Sequence, residues 1–166
     1  MDDVVLNKVA TINRCIERIN QEFSDESDFR KNYTKQDSVI LNLQRACEAS
    51  IDLANRVIRT EKLGIPQSAR EVFSLLAKEA IIDEKIAIKM QKMVGLRNIA
   101  VHDYQELNLD IVVHVVKHLL ADFSEFSKQA LSFVKGRQPS WSLYRLVQLM
   151  MLYQVKLAGI FLFDAG

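Results

Sequence analysis

Between Met93 and Gln105 the chain reads MVGLRNIAVHDYQ, and Arg97, Asn98, His102 and Tyr104 within it are residue types that handle phosphate and protons. Arg97 stays charged at any pH of interest and presents its N–H donors in a planar fork that matches a phosphate. His102 titrates near neutrality, so it can take a proton from an attacking hydroxyl or give one to a leaving oxygen. An arginine clamp beside such a shuttle suits cleavage or transfer at a phosphodiester. Counting back from Arg97, the apolar residues Met93, Met90 and Ile86 fall four, seven and eleven positions away, on one face of a helix. Arg97 therefore extends an apolar stripe. A guanidinium pointing the way a core points is costly to bury alone, and calls for a carboxylate, a phosphate or a water-filled cleft.

His102 is five residues beyond Arg97, about 140° round an ideal helix, so the two diverge if the helix is continuous. Asn98 and His102, four apart, share a face, and a break at Asp103 would redirect His102 and Tyr104 into the cleft of Arg97. From these residues alone two readings stand: such a site, or a helix-end arginine capping carbonyls beside a half-buried histidine.

The elements that must position these residues are helices. Val5, Val9, Ile12, Ile16, Ile19 and Phe23 recur at steps of four and three, which predicts a first helix from about Asp2 to Phe23. Ser24 to Tyr33 is polar and charged and is expected to be a loop or partly ordered turn. Thr34 is the expected N-cap of a long second helix with the stripe Ile40, Leu43, Cys47, Ile51, Ala54 and Ile58, closed by Gly64 and Pro66. Ser68 with Glu71 reads as a capping box for a short third helix, Ala69 to about Lys78. Asp83 caps the fourth, which carries the motif. A fifth begins near Asn108, with Asp110 in its first turn, and turns Leu109, Val112, Val113, Val116, Leu120 and Phe123 inward. Its β-branched run Ile111 to Val116 favours strand locally, and packing is expected to override that preference. The expected fold is an all-α antiparallel bundle of about five helices plus an apolar C-terminal extension, with residues 1–138 as the domain and 139–166 as the extension.

Composition sets limits on function. The chain has 166 residues, is 49% hydrophobic and 26% charged, has five glycines and two prolines, and carries a net charge of +1. No global basic field announces a nucleic acid, so an RNA would have to be held by a local patch. Cys15 and Cys47 have neither metal-site spacing nor disulfide-scaffold density, and fit reduced core residues of a cytoplasmic protein. The opening MDDVVLNKV is not a signal peptide. His114 and His118 are four apart, a spacing zinc can use, but no third ligand stands at a sensible distance, and they are expected to be exposed or at an interface. No metal and no cofactor is called for. Arg45, Glu48, Asp52 and Asn55 form a polar line on the second helix, either a solvated ion-paired face or one that lies beside the motif and orients Arg97 or binds RNA.

Residues 140 to 166 hold only Arg145, Lys156 and Asp164 out of 22 basic and 21 acidic side chains. Leu143 to Phe163 is formally long enough to cross a bilayer, but a cation near the bilayer centre costs roughly 3 kcal/mol, which argues against it. Leu143, Leu146, Val147, Met150, Tyr153 and Leu157 instead describe an amphipathic helix that could dock on the bundle or a partner. An extension without a selected role is the alternative.

The segment RNIAVHDY resembles the R-x4-H-x-Y motif of HepT toxins, within the HEPN family of all-helical, metal-independent ribonucleases. VILNLQRACEASIDLANRVI, KMVGLRNIAVH and LNLDIVVHVV, in that order, are similar to that family's successive helices, so the resemblance runs from near residue 1 to about residue 135. It implies a homodimer with the motif residues meeting in a shared cleft, acting on cellular RNA, with tRNA the class suggested by analogy. Arg97 would bind the scissile phosphate, Asn98 would position it, and His102 would serve as general base or acid toward the RNA's own 2′-hydroxyl. It also implies a partner, a minimal nucleotidyltransferase antitoxin of MntA type that adds AMP to Tyr104. The other function that fits the same resemblance is a non-catalytic helical subunit binding a nucleotidyltransferase; overexpression toxicity abolished by His102→Ala separates the two. The extension departs from the family pattern.

Overall fold

The computed structural model of the chain describes residues 2–102 and 108–136, with the backbone alone at 101 and 102. Residues 1–134 form one compact unit, and residues 135–166, most of which lie outside the described part, form another. Among the described residues there are seven helices and no strand: α1 (Asp3–Glu22), α2 (Glu26–Lys31), α3 (Tyr33–Glu61), α4 (Glu71–Lys78), α5 (Glu84–His102), α6 (Leu109–His118) and α7 (Leu120–Gly136).

The long helix α3 is the axis of the unit, packing against α1, α2, α4 and α5. Val39, Ala46, Leu53, Ala54 and Val57 are among its buried positions, so apolar side chains leave it in several directions rather than along one seam. Helix α1 lays Val5, Ile12, Cys15 and Ile19 into the core, with Val9, Ile16 and Phe23 partly covered, as its spacing predicts. The Asp2 carboxylate caps it, accepting from the Val4 amide at 3.0 Å, and also accepts from Arg56 Nε on α3 at 2.7 Å. Burial works against ionisation of Asp2, but these donors outweigh it and hold the carboxyl below its ordinary value.

Two boundaries differ from the sequence expectation. The stretch Ser24 to Tyr33 contains the helical turn α2, because Asp25 caps the Ser27 amide at 2.8 Å and Phe29 is fully buried against Phe23, their ring centroids 4.9 Å apart. The N-cap of α3 is then Asn32, whose side-chain oxygen accepts from the Lys35 amide at 3.2 Å, and Thr34 lies inside the helix. Asparagine is the stronger cap, and the buried Phe29 fixes where the chain must turn. At the other end Lys62 takes the left-handed conformation, φ 56°, and the Leu63 amide donates to the Ile58 carbonyl at 3.0 Å. Gly64 and Pro66 follow the end rather than make it.

The capping box of α4 forms in a shifted register. Ser68 Oγ accepts from the Glu71 amide at 3.2 Å, while the Glu71 carboxylate accepts from the Gln67 amide, so the helix begins at Glu71 rather than Ala69. The Asp83 carbonyl accepts from the Ala87 amide to start α5, and Asp83 and Gln129 of α7 exchange two hydrogen bonds, at 2.8 and 2.7 Å. Phe126 of α7 meets Phe73 of α4 edge-on at 5.3 Å, both fully buried. Burying one such ring contributes roughly 1.5–3 kcal/mol. The β-branched run forms α6, capped by Asn108 at the Asp110 amide, 2.8 Å. Helical continuity is broken once, at Leu119, which splits the single fifth helix of the sequence reading into α6 and α7. No helix among the described residues is long and apolar enough to cross a membrane.

Candidate active site

Helix α5 carries Arg97 on the register its sequence predicts: Ile86, Met90 and Met93 are buried, and Arg97 continues their face outward, its side chain 27% exposed. The neighbour it meets is α3. Cys47 Sγ donates to the Met93 carbonyl at 3.4 Å, which fixes the two helices in contact one turn short of the arginine. There Arg97 Nε donates to Glu48 Oε1 at 2.6 Å, and Nη2 donates to the same oxygen. Nη1 donates to Asn98 Oδ1 at 3.1 Å. Ile40, Leu43, Leu96, Ala100 and Val112 form the apolar floor beneath.

This arrangement answers the demand of a half-buried guanidinium and leaves part of it available. Of the five N–H donors of an arginine, two go to Glu48 and one to Asn98, so one hydrogen on each terminal nitrogen remains uncommitted among the described residues. A terminal N–H pair of this kind is what an arginine offers to a phosphate. Glu48 also sets the charge of the neighbourhood. Burial, then the Glu48 carboxylate, push the Cys47 thiol up to about 12 against the opposing pull of Arg97, so Cys47 is a neutral core residue and no nucleophile. Cys15 is likewise buried and raised, by burial.

His102 closes α5, at the register that sets its position about 140° from Arg97. Asn98 bridges that gap, since it bonds the guanidinium and shares a helix face with position 102. The His102 side chain, Asp103 and Tyr104, and with them the expected turn, lie outside the described residues, as do Leu143 to Leu157 of the extension.

The polar line of α3 divides among several tasks. Glu48 holds Arg97, as one of the sequence readings allowed; Asp52 accepts from Lys8 of α1 at 2.6 Å, and Arg45 is exposed. Nothing in the sequence says which member of the line α5 crosses, because Glu48 and Arg97 are 49 residues apart. His114 and His118 are exposed with ring centroids 4.9 Å apart, and no group of three or more metal-ligating side chains occurs among the described residues.

Comparison with known proteins gives this geometry its class. Residues 12–130 match the family model of HepT-like ribonucleases. The mRNA nuclease HepT of Shewanella oneidensis is 61% identical over 126 residues, 76% of this chain and 95% of that protein. A tRNA nuclease HepT of Aphanizomenon flos-aquae is 23% identical over 133 residues, 79% of this chain and 90% of that protein. Among solved structures, a tri-AMPylated Shewanella oneidensis HEPN toxin in complex with MNT antitoxin superposes with a TM-score of 0.77 at 58% identity, over 80% of this chain and 99% of that one. An all-helical bundle with an arginine and histidine at the end of one helix is thus a HEPN-type arrangement. Within that class, the chain belongs to the HepT-like ribonuclease family.

Proposed function

We propose that the protein is the toxin ribonuclease of a toxin–antitoxin pair, cutting RNA in the cytoplasm without a metal at a site built from Arg97, Asn98 and His102. The observation that carries this reading is the grip of Glu48 and Asn98 on Arg97, which fixes the guanidinium plane while two of its N–H donors stay uncommitted among the described residues. The relative sharing 61% identity is named for mRNA and the more distant one for tRNA, so mRNA stands first as the substrate class. The unit of residues 1–138 carries the activity, and residues 139–166 are an addition to it.

The chemistry follows from the side chains. Arg97 binds a non-bridging oxygen of the scissile phosphate and offsets the charge that grows there. His102 takes the 2′-hydroxyl proton as the 2′-oxygen bonds to phosphorus. The bond to the 5′-oxygen breaks, and a proton is delivered to that leaving oxygen. The products are a 2′,3′-cyclic phosphate and a 5′-hydroxyl, and the nucleophile is supplied by the substrate itself. A homodimer in which two such sites face each other gives the local positive patch that a chain of net charge +1 lacks.

Control comes from a partner nucleotidyltransferase of MntA type. It joins the Tyr104 phenol oxygen to the α-phosphate of ATP and releases pyrophosphate. Each AMP brings bulk and a negative charge beside a site that works by attracting phosphate. The structural relative is itself AMPylated and held with an MNT antitoxin. The test is cleavage of RNA by the unmodified protein in excess EDTA, with end-group analysis. Cyclic phosphate ends, absent in Arg97→Ala and His102→Ala, support the reading, and a requirement for added divalent metal removes it. Tyr104→Phe should still cut RNA while escaping modification and neutralisation by the nucleotidyltransferase.

A further inference from the structure

A second arginine packs against the motif helix, its guanidinium without an acceptor among the described residues. Arg70 stands at the N-terminal boundary of α4 and is exposed; its carbonyl accepts from the Phe73 amide at 3.3 Å, but its side chain makes no hydrogen bond or ion pair among the described residues. Its guanidinium rests on α5 at Gly95: a Cβ built there would lie 3.0 Å from Arg70 Nη2. The absence of a side chain at 95 is what lets the guanidinium lie against the helix. The packing of α4 on α5 explains how it gets there. Gln91 of α5 donates to Ser74 Oγ of α4 at 2.7 Å, and one turn further toward the motif on α5 the matching position on α4 is Arg70.

The register of α5 places this second guanidinium on the helix face of Asn98 and position 102, about 160° round from Arg97, so a strand passing from one arginine to the other crosses Asn98. Asn98, which holds Arg97 Nη1, is three residues beyond Gly95 and adjacent to it on the helix surface. Position 102 is seven beyond, on the same face and about 10 Å further along the axis. Lys92, three residues before Gly95 on that exposed sector, also has no side-chain partner among the described residues. By contrast Lys89 is tied to Asp122 at 2.6 Å, and Arg97 to Glu48. Lys85 and Lys92, the cations of α5 without a side-chain partner among the described residues, stand seven residues apart on one face that leads toward the motif, and Arg70 of α4 adds a planar, forked donor beside them.

We propose that Arg70 is a second phosphate-binding residue, which holds the RNA backbone a short distance from the scissile phosphodiester and so makes a longer single strand the preferred substrate. The inference rests on the ribonuclease reading above. A strand gripped at Arg97 runs across Asn98 and down the face of Gly95, where its next phosphates meet Arg70 and Lys92. Binding there is shared by ground and transition states, so it lowers KM and leaves kcat nearly unchanged.

The experiment compares wild type, Arg70→Ala, Arg70→Lys and the control Lys8→Ala, a cation of α1 paired to Asp52, on two substrates: a dinucleotide holding only the scissile phosphate, and a single-stranded oligoribonucleotide extending several nucleotides to each side. Arg70→Ala should raise KM about 3- to 10-fold on the longer strand, with kcat kept and the dinucleotide cut as by wild type. The slope of log affinity against log salt should fall by about 0.7, the loss of one phosphate contact to a single strand. Arg70→Lys should recover the slope but only part of the affinity, and Lys8→Ala should match wild type. An unchanged slope, an equal effect on both substrates, or lost nucleotidyltransferase binding with RNA affinity intact would overturn the role. A wild type that cuts no RNA removes the reading beneath it, whereas an active wild type with an indifferent Arg70→Ala removes this inference alone.

Discussion

Glu48 and Asp52 stand one turn apart on α3, and each carboxylate holds a cation from a neighbouring helix, yet the two pairs do different things. Asp52 meets Lys8 of α1 by a single contact of 2.6 Å, with the side chains 52% and 33% exposed. Glu48 meets Arg97 of α5 through two donors, Nε and Nη2, and Asn98 adds a third contact. An ammonium is a point charge that can swivel, so the Lys8 pair ties two helices and specifies nothing more. A guanidinium held at three donors has its plane fixed and, among the described residues, two hydrogens still uncommitted. What distinguishes a site pair from a strap is the cation's remaining geometry rather than the acid that pairs with it.

The largest effect should come from breaking the site pair at its cation. Arg97→Ala should lower the cleavage rate by about 10²–10³-fold or more, the range found when a fixed donor to developing charge is removed. Arg97→Lys should recover little of it, because a lysine cannot present the open edge while bonding Glu48. Initial rates on a defined RNA, with thermal melts to show the fold retained, make the measurement. Near-full activity in the lysine variant would erase the distinction drawn between the two pairs.

Next in size is the acid. Glu48→Gln keeps an oxygen acceptor and the side-chain length but removes the charge, so the guanidinium is held less firmly. We expect a fall of roughly 10-fold in kcat, from the difference between a charged and a neutral hydrogen bond of about 1–1.5 kcal/mol. A gain in activity instead would mean that Glu48 restrains Arg97 rather than orients it.

The parts of this account that could be read from the sequence are the ones carried by periodicity. The Ile86, Met90, Met93, Arg97 stripe foretold the buried face of α5 and an arginine calling for a carboxylate, a phosphate or a cleft, of which the structure shows the carboxylate of Glu48. The run Val5 to Phe23 gave α1 almost to the residue. What was not legible depended on contacts between distant residues. Phe29 burying itself against Phe23 made a helix where composition suggests a loop, and the Glu48 pairing crosses 49 positions. Nothing in the sequence singled out Gly95, which is the bed of Arg70.

Cys47 offers a smaller and more indirect probe, since it sits beside Glu48 on α3 and feels both members of the site pair. Burial, then Glu48, raise its thiol from the ordinary 9.0 to about 12 in the folded chain. A group with a raised folded value favours the fold fully below its unfolded value, and that contribution is lost as pH climbs from about 9 to about 12, where only the unfolded chain ionises readily. Stability should therefore decline over that alkaline window, and Cys47→Ala should flatten the decline while lowering stability at neutral pH. Denaturation midpoints measured across the window decide it. An alkaline slope identical in both chains would place the sensitivity elsewhere, with Cys15 the next thiol to replace.

The smallest effect belongs to the strap. Asp52→Asn removes the partner of Lys8 where both side chains are well exposed, and pairs of that kind contribute about 0–1 kcal/mol, screened further by salt. The helices it joins are already held by Val5, Ile12, Cys15 and Ile19 against the apolar faces of α3, and by Asp2 on Arg56 at 2.7 Å. Removing one exposed contact from such an interface should shift the melting temperature by a few degrees at most and leave the cleavage rate unchanged. The comparison is sharpest with Glu48→Gln, because both variants neutralise a carboxylate on the same face of the same helix, one turn apart. If Asp52→Asn slowed cleavage as much as Glu48→Gln, the effect of Glu48 would be one of general charge along α3 and not of its grip on Arg97. If only Glu48→Gln slowed cleavage, and the loss persisted at high salt where diffuse electrostatics fade, the orienting contact would be the cause.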